Sequence, residues 1–251
     1  MATYVLVHGG GHGGWCYQRV ARILRSVGHE VHAPSLTGLG ERAHLLRPGI
    51  DLDLQITDVV NLVHYEDLRD VILVGHSYGG MVVTGVADRA SDRIGRLVYL
   101  DAANPKDGQS LVDVAGEVIL AIRPLGRVVD DVELVLFSDP EIVKLYGVTD
   151  PDDVAWMVER LTPHPWKCFE QPLRLTNEEE LWAIPQFHIV CSSTVATRDP
   201  EMIAKARAEG RFWEIDTGHD LMITEPQWVA DALLEVAADR RANSHTAGRE
   251  V

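Results

Sequence analysis

The stretch "DVILVGHSYGGMVVTGVADRA" (residues 70–90) constrains this chain more than any other. Residues 70–75 form an apolar run that reads as a buried strand. It meets Gly75-His76-Ser77-Tyr78-Gly79, a match to G-x-S-x-G, and then residues 80–90 with apolar positions at helical spacing. Strand, sharp turn and helix in that order are the context in which this motif lifts a serine hydroxyl onto a helix N-terminus. The turn is tight enough that only glycine fits the flanking positions Gly75 and Gly79. An ordinary Gly-Ser turn is the bland alternative, and the strand and helix on either side speak against it.

The rest of the chain keeps the same rhythm. Further strands are expected at 3–8, 30–34, 96–101, 186–192 and 211–216, and helices at 15–28, 54–68, 199–210 and 225–240. Strands alternating with helices require crossovers. The expected fold class is therefore α/β, with a doubly wound, mainly parallel sheet covered on both faces. The rhythm breaks between 103 and 185. The pieces "SLVDVAGEVILAI", "DVELVLF" and "DPDDVAWMVERL", interrupted by "TPHPW" and "QPL", read as a mostly helical cap without a strong strand. The expected division is a core of 1–102 and 186–240, a cap of 103–185 and a polar tail of 241–251.

Composition narrows the function. A formal net charge of −15 leaves no basic surplus for phosphates and argues against nucleic acid. Cys16, Cys168 and Cys191 are scattered and odd in number, which fits small buried hydrophobes better than a disulfide framework or a metal site. No apolar run is long enough to span a membrane. The start "MATYVLVHGG" lacks the basic segment and apolar stretch of a signal peptide, so the expected location is the cytoplasm.

Two further segments carry chemistry. "DTGHDLM" (216–222) follows the last expected strand, where a general base must sit to reach Ser77 from above, and His219 is the candidate. "HGGGHGGW" (8–15) follows the first strand. Gly9, Gly11 and Gly14 there spell G-x-G-x-x-G, but a dinucleotide site needs an acid after the second strand, where the chain reads "EVHAPSL". An oxyanion hole is the better reading, with the Gly10 N–H paired with the Tyr78 N–H. His8 and His12 are expected to brace this loop, and His76 to be structural. Gly9, Trp156 and Trp166 are pocket candidates, with Leu136, Phe137 and Phe169 from the cap.

These segments together resemble the α/β-hydrolases of the plant hydroxynitrile lyase and methylesterase branch and their bacterial carboxylesterase relatives. The resemblance is carried by "VLVHGGGHGGWCY", "PSLTGLGERAHL", "DVILVGHSYGGMV", "RLVYLDAANPKDGQSL" and "DTGHDLMITEP", with "RLTPHPWKCFEQPL" similar to the bacterial cap. It implies ester hydrolysis or a related reaction at Ser77 and His219. Hydroxynitrile lyases of the branch carry Thr and Lys where this chain has Gly9 and Asp220. A negative Asp220 disfavours departing cyanide, so ester hydrolysis is favoured. Both positions are expected to face the pocket rim and to tolerate substitution.

A second departure concerns the triad acid. The resemblance places it in the loop after 186–192, but the chain there reads "IVCSSTVATRDP" (189–200), with Thr194 or Val195 in the expected slot. Three answers stand. Asp101, ending the neighbouring strand, is the first choice. Asp199 is the second, although its position before Pro200 also suits a helix N-cap. The third is that no acid orients His219. The expectation is a serine hydrolase acting through an acyl-enzyme on a carboxylic ester of a small, largely apolar substrate, with no metal and no organic cofactor. The alternatives are a non-hydrolytic lyase or cyclase, and a ligand-binding module with an incomplete triad. No nucleic-acid or membrane partner is expected, and a homodimer is left open.

Overall fold

The computed structural model describes residues 1–239. The expected tail of 241–251 lies outside the described residues. The chain begins with β1 (Thr3–Val7), α1 (Gln18–Ser26), β2 (Glu30–His32), α2 (Leu52–Tyr65), β3 (Val71–His76), α3 (Gly79–Arg89) and β4 (Ile94–Leu100). It then leaves the sheet through α4 (Leu111–Ile122), β5 (Arg127–Val129), β6 (Val132–Val135), α5 (Pro140–Val143), α6 (Pro151–Val158), β7 (His164–Pro165), α7 (Lys167–Glu170) and α8 (Glu178–Ala183). It returns as β8 (Gln186–Cys191), α9 (Pro200–Ala208), β9 (Phe212–Ile215), α10 (Leu221–Thr224) and α11 (Pro226–Ala238).

Six strands form one sheet in the order β2-β1-β3-β4-β8-β9, and every pairing is parallel. Helices cover both faces, so the central strands bury side chains on each side. Val5, Leu6, Leu73, Val74, Val98 and Ile189 are buried. This is why β3 and β4 read as near-continuous apolar runs rather than alternating ones. Strand order reverses between β1 and β3, so the loops leaving their C-terminal ends diverge and open a crevice between them. The glycine loop and Ser77 both stand at that crevice.

The excursion between β4 and β8 is largely but not wholly helical. It holds a second, antiparallel sheet, β5-β6-β7. "DVELVLF", expected to be an amphipathic helical piece, supplies β6. The reason is local. Asp130 and Asp131 both adopt positive φ, 49° and 62°, and form a two-residue turn between Val129 and Val132. A turn of that hand matches the twist of the flanking strands, and β-branched valines suit them. Asp-Asp is a weaker sequence signal for it than Asn-Gly. Among the described residues no helix is long and apolar enough to cross a membrane.

Candidate active site

Ser77 sits between β3 and α3 with φ 53°, in the left-handed region that a serine rarely adopts. Packing enforces this turn. A Cβ on Gly75 would lie 2.6 Å from the Gly79 carbonyl oxygen, and one on Gly79 would lie 2.7 Å from the Val7 carbonyl oxygen. The Ser77 carbonyl accepts the N–H groups of Gly80 and Ala103, both at 3.0 Å. The elbow is thus locked both to its own helix and to the segment leaving β4.

His219 lies in the turn between β9 and α10. Its Nδ1 is 2.5 Å from Asp101 Oδ2. Asp101 follows β4 directly, takes φ 44°, and has a fully buried side chain. Its other oxygen, Oδ1, accepts from the Cys191 N–H at 3.2 Å, the Thr194 hydroxyl at 2.5 Å and Arg198 Nη2 at 2.7 Å. Burial favours the neutral acid. The hydrogen bond and charge of His219, with Arg198 and Thr194 behind them, outweigh burial and hold Asp101 well below the usual carboxylate range. Asp199 is elsewhere. It caps α9, accepting from the Glu201 N–H at 2.9 Å, with Pro200 in the first turn. Thr194 and Arg198 carried no local signal in the sequence, because what they touch comes from another strand.

The glycine loop is held by two histidines whose surroundings push them in opposite directions. Burial drives His8 down to about 3, so it is neutral. Its Nε2 accepts the Leu36 N–H at 3.0 Å, which leaves Nδ1 to donate to the Gly9 carbonyl at 2.9 Å. That carbonyl shares a peptide plane with the Gly10 N–H and turns it the opposite way. Among the described residues, neither the Gly10 nor the Tyr78 N–H is taken up by a loop or side-chain hydrogen bond. His12 is opposite in character. Burial works against its cation, but the Asp220 carboxylate, 2.9 Å from Nε2, outweighs burial and holds His12 above its ordinary value. The same pairing holds Asp220 below the carboxylate range despite its burial. His12 Nδ1 then donates to the Gly10 carbonyl at 2.8 Å.

Asp220 therefore does not face a pocket rim. It is 0% exposed, and its Oδ1 lies 3.7 Å from His76 Nε2. His76, driven down to about 3 chiefly by burial, contacts the His219 carbonyl through Nε2 at 2.9 Å. Gly9 is not at the rim either. A Cβ there would meet Ser77 Cβ at 2.8 Å and His76 Nδ1 at 2.9 Å, so the glycine lets β1 and β3 close up behind the serine. The expected tolerance of both positions is corrected on these grounds. The turn after α5 also presses on the base loop. A Cβ on Gly147 would lie 2.6 Å from Gly218 Cα, and the Asp220 N–H donates to the Tyr146 carbonyl at 3.0 Å.

A cleft of about 1510 Å³ opens beside Ser77, Asp101 and His219. Ser77, Leu111 and Ile119 also line a second, small pocket of about 30 Å³ that includes Gly10, Phe137 and Phe169. Neither tryptophan expected there lines either space. Trp156 packs edge-on against Trp15, with Arg19 and Arg160 over its ring. Trp166 is buried against Phe169, under Arg123, and donates to Glu170 at 2.7 Å. Trp156 thus ties the excursion to the core, and Trp166 packs within the excursion. The three cysteines are free and buried. Among the described residues no group of three His, Cys, Asp or Glu side chains is placed to share a metal ion.

A parallel sheet with a strained serine elbow at the carboxyl end of β3, and a histidine turn after the last strand, defines an α/β-hydrolase. Residues 4–232 match the alpha/beta hydrolase family, and the chain belongs to it. It is a carboxylesterase-type hydrolase. It is 37% identical to a carbendazim hydrolyzing esterase of Nocardioides sp. (strain SG-4G), over 93% of this chain and 98% of that protein. It is 27% identical to methylesterase 2 of Arabidopsis thaliana, over 93% and 95%. In fold it is similar to an extracellular alpha/beta-hydrolase from a Paenibacillus species, with a TM-score of 0.74 at 24% identity, covering 94% of this chain and 98% of that one.

Proposed function

We propose that the chain is a serine hydrolase that cleaves a carboxylic ester through an acyl-enzyme. Ser77 attacks the carbonyl carbon while His219 Nε2 takes its proton. The Gly10 and Tyr78 N–H groups receive the developing oxyanion, and His219 returns the proton to the departing alkoxide. Water then repeats the sequence on the acyl group. The observation that carries this reading is the 2.5 Å contact between His219 Nδ1 and Asp101 Oδ2, two residues that line the same cleft as Ser77. A buried carboxylate there keeps the imidazole proton on Nδ1 and leaves the Nε2 lone pair for the serine.

The two-part cavity bears on substrate. The small pocket, about 30 Å³, has room for one small group beside Ser77. The wide cleft admits a larger and more polar remainder than a small, apolar ester requires, with Asn104, Lys106 and Glu117 on its walls. Relatives named methylesterases point the same way, so methyl esters of bulky acids head the candidate substrates. The lyase reading loses ground. Gly9 leaves no room for a hydroxyl side chain, and residue 220 is a buried carboxylate paired with His12 rather than a cation facing the substrate. Intact mass after a fluorophosphonate, on wild type and Ser77→Ala, followed by a panel of methyl and longer alkyl esters, tests the proposal. A wild-type protein that neither gains the adduct nor turns over any ester refutes it.

A further inference from the structure

The segment that follows β8 carries no carboxylate for His219, yet it is not idle. Three donors on that side of the sheet converge on one oxygen of Asp101. These are the Cys191 N–H at the end of β8, the Thr194 hydroxyl and Arg198 Nη2. The other oxygen is left to His219. Arg198 spans two anchors, since its Nη1 donates to the Ala102 carbonyl at 2.7 Å while Nη2 holds Asp101. Its side chain is 17% exposed and lines the cleft together with Asp101.

We infer that Arg198 and Thr194 are positioning residues of the hydrolytic site, acting through Asp101; this rests on the reading of Asp101 as the acid. The loop that lacks an acid supplies instead the clamp for an acid borne by the neighbouring strand. Its physical role follows from what Asp101 would be without it. A buried carboxylate with a single imidazole partner is costly to desolvate. A carboxylate free to rotate about its Cβ–Cγ bond offers His219 either oxygen at varying distance. Three donors saturate Oδ1 and fix the carboxylate plane, which aims Oδ2 at Nδ1. The planar guanidinium suits this because it donates to two acceptors in a fixed fork, whereas an ammonium is a point charge.

The test compares Arg198→Ala, Arg198→Lys, Thr194→Val and Asp101→Asn in the full chain, with kcat and KM on a p-nitrophenyl ester and thermal melting of each. At metal sites, outer partners that orient a ligand commonly carry about 10- to 100-fold in activity, and a loss of the same order is expected for a partner that orients the acid here. Arg198→Ala is expected to lose kcat in that range with KM within about twofold, because the loss falls on the orientation of the base rather than on substrate binding. Arg198→Lys should fall between it and wild type. Added guanidinium or methylguanidinium ion should restore turnover to Arg198→Ala several-fold and leave Asp101→Asn unmoved, which a merely structural role would not produce. If Arg198→Ala does not fold, Arg198→Lys and Thr194→Val decide, each with lowered kcat and unchanged KM. Wild-type kcat in the arginine and threonine variants, beside a crippled Asp101→Asn, overturns the clamp. An Asp101→Asn of full activity overturns the acid assignment itself.

Discussion

Asp101→Asn exchanges one oxygen for an amide at constant shape, and the surroundings of Asp101 dictate how that amide must sit. Oδ1 receives three donors, from Cys191, Thr194 and Arg198. Only the amide oxygen can accept them. The NH₂ group is therefore turned to the Oδ2 site, 2.5 Å from His219 Nδ1 in the native protein. There it donates to Nδ1, which becomes an acceptor, and the imidazole proton moves to Nε2. A histidine protonated at Nε2 cannot take a proton from Ser77, and the imidazolium formed during attack loses its counter-charge. In serine proteases the same exchange lowers kcat about 10⁴-fold. That is about 5 kcal/mol of transition-state stabilisation at roughly 1.4 kcal/mol per tenfold. The same loss is expected here, read as initial rates on a p-nitrophenyl ester near neutral pH, with far-UV circular dichroism confirming a folded variant. A variant within tenfold of wild type would show that the amide orientation, the tautomer or the acid itself has been misjudged.

Ser77→Ala should lose about 10³-fold or more in turnover while keeping the fold, since the elbow is held by packing and not by the hydroxyl; equal rates on the ester panel would move the nucleophile elsewhere. Asp199→Ala should cost about 1 kcal/mol, the value of a lost N-cap, in chemical denaturation and leave kcat unchanged; a collapse in kcat would give Asp199 a role its capping geometry does not provide. Asp220→Asn breaks a fully buried pair, so about 3–5 kcal/mol, or roughly 6–20 °C in Tm for a chain of this size, should be lost. The sign of its pH dependence follows from His12, which the Asp220 carboxylate holds above the ordinary imidazole value of 6.5 despite its burial. The pair's contribution is full below 6.5 and lost as pH rises through the folded His12 value. Melting curves at about pH 6 and about pH 9 should show the gap between wild type and Asp220→Asn narrowing as pH rises. A gap of constant size would mean that His12 does not change charge between the two pH values.

The sequence by itself determined the parts whose physics is local. The strand–GHSYG–helix turn is legible because a strained elbow needs glycine at both flanks and a regular element on each side. The alternation of apolar runs and helical spacings gave the parallel sheet, since strands buried on both faces cannot hide their composition. Asp199 stands as the second-choice acid on sequence, but its capping alternative is legible before Pro200 because capping involves neighbours in the chain. The β5–β6 hairpin was missed because Asp-Asp is a weak turn signal and "DVELVLF" suits either period. The two tryptophans were misplaced because aromatic content says that something is buried, not against what.

The choice of acid could not be made from the chain alone. Asp101 and His219 are separated by 118 positions and meet only because β4, β8 and β9 are successive strands of one parallel sheet, whose loops leave at the same end. The same adjacency brings Thr194 and Arg198 to Asp101. The burial of Asp220 likewise depends on His12, 208 positions away. A carboxylate that ends one strand has no sequence mark to show whether it faces water, a cation or an imidazole. Its environment is assembled by strand order, and strand order is a property of the packed sheet.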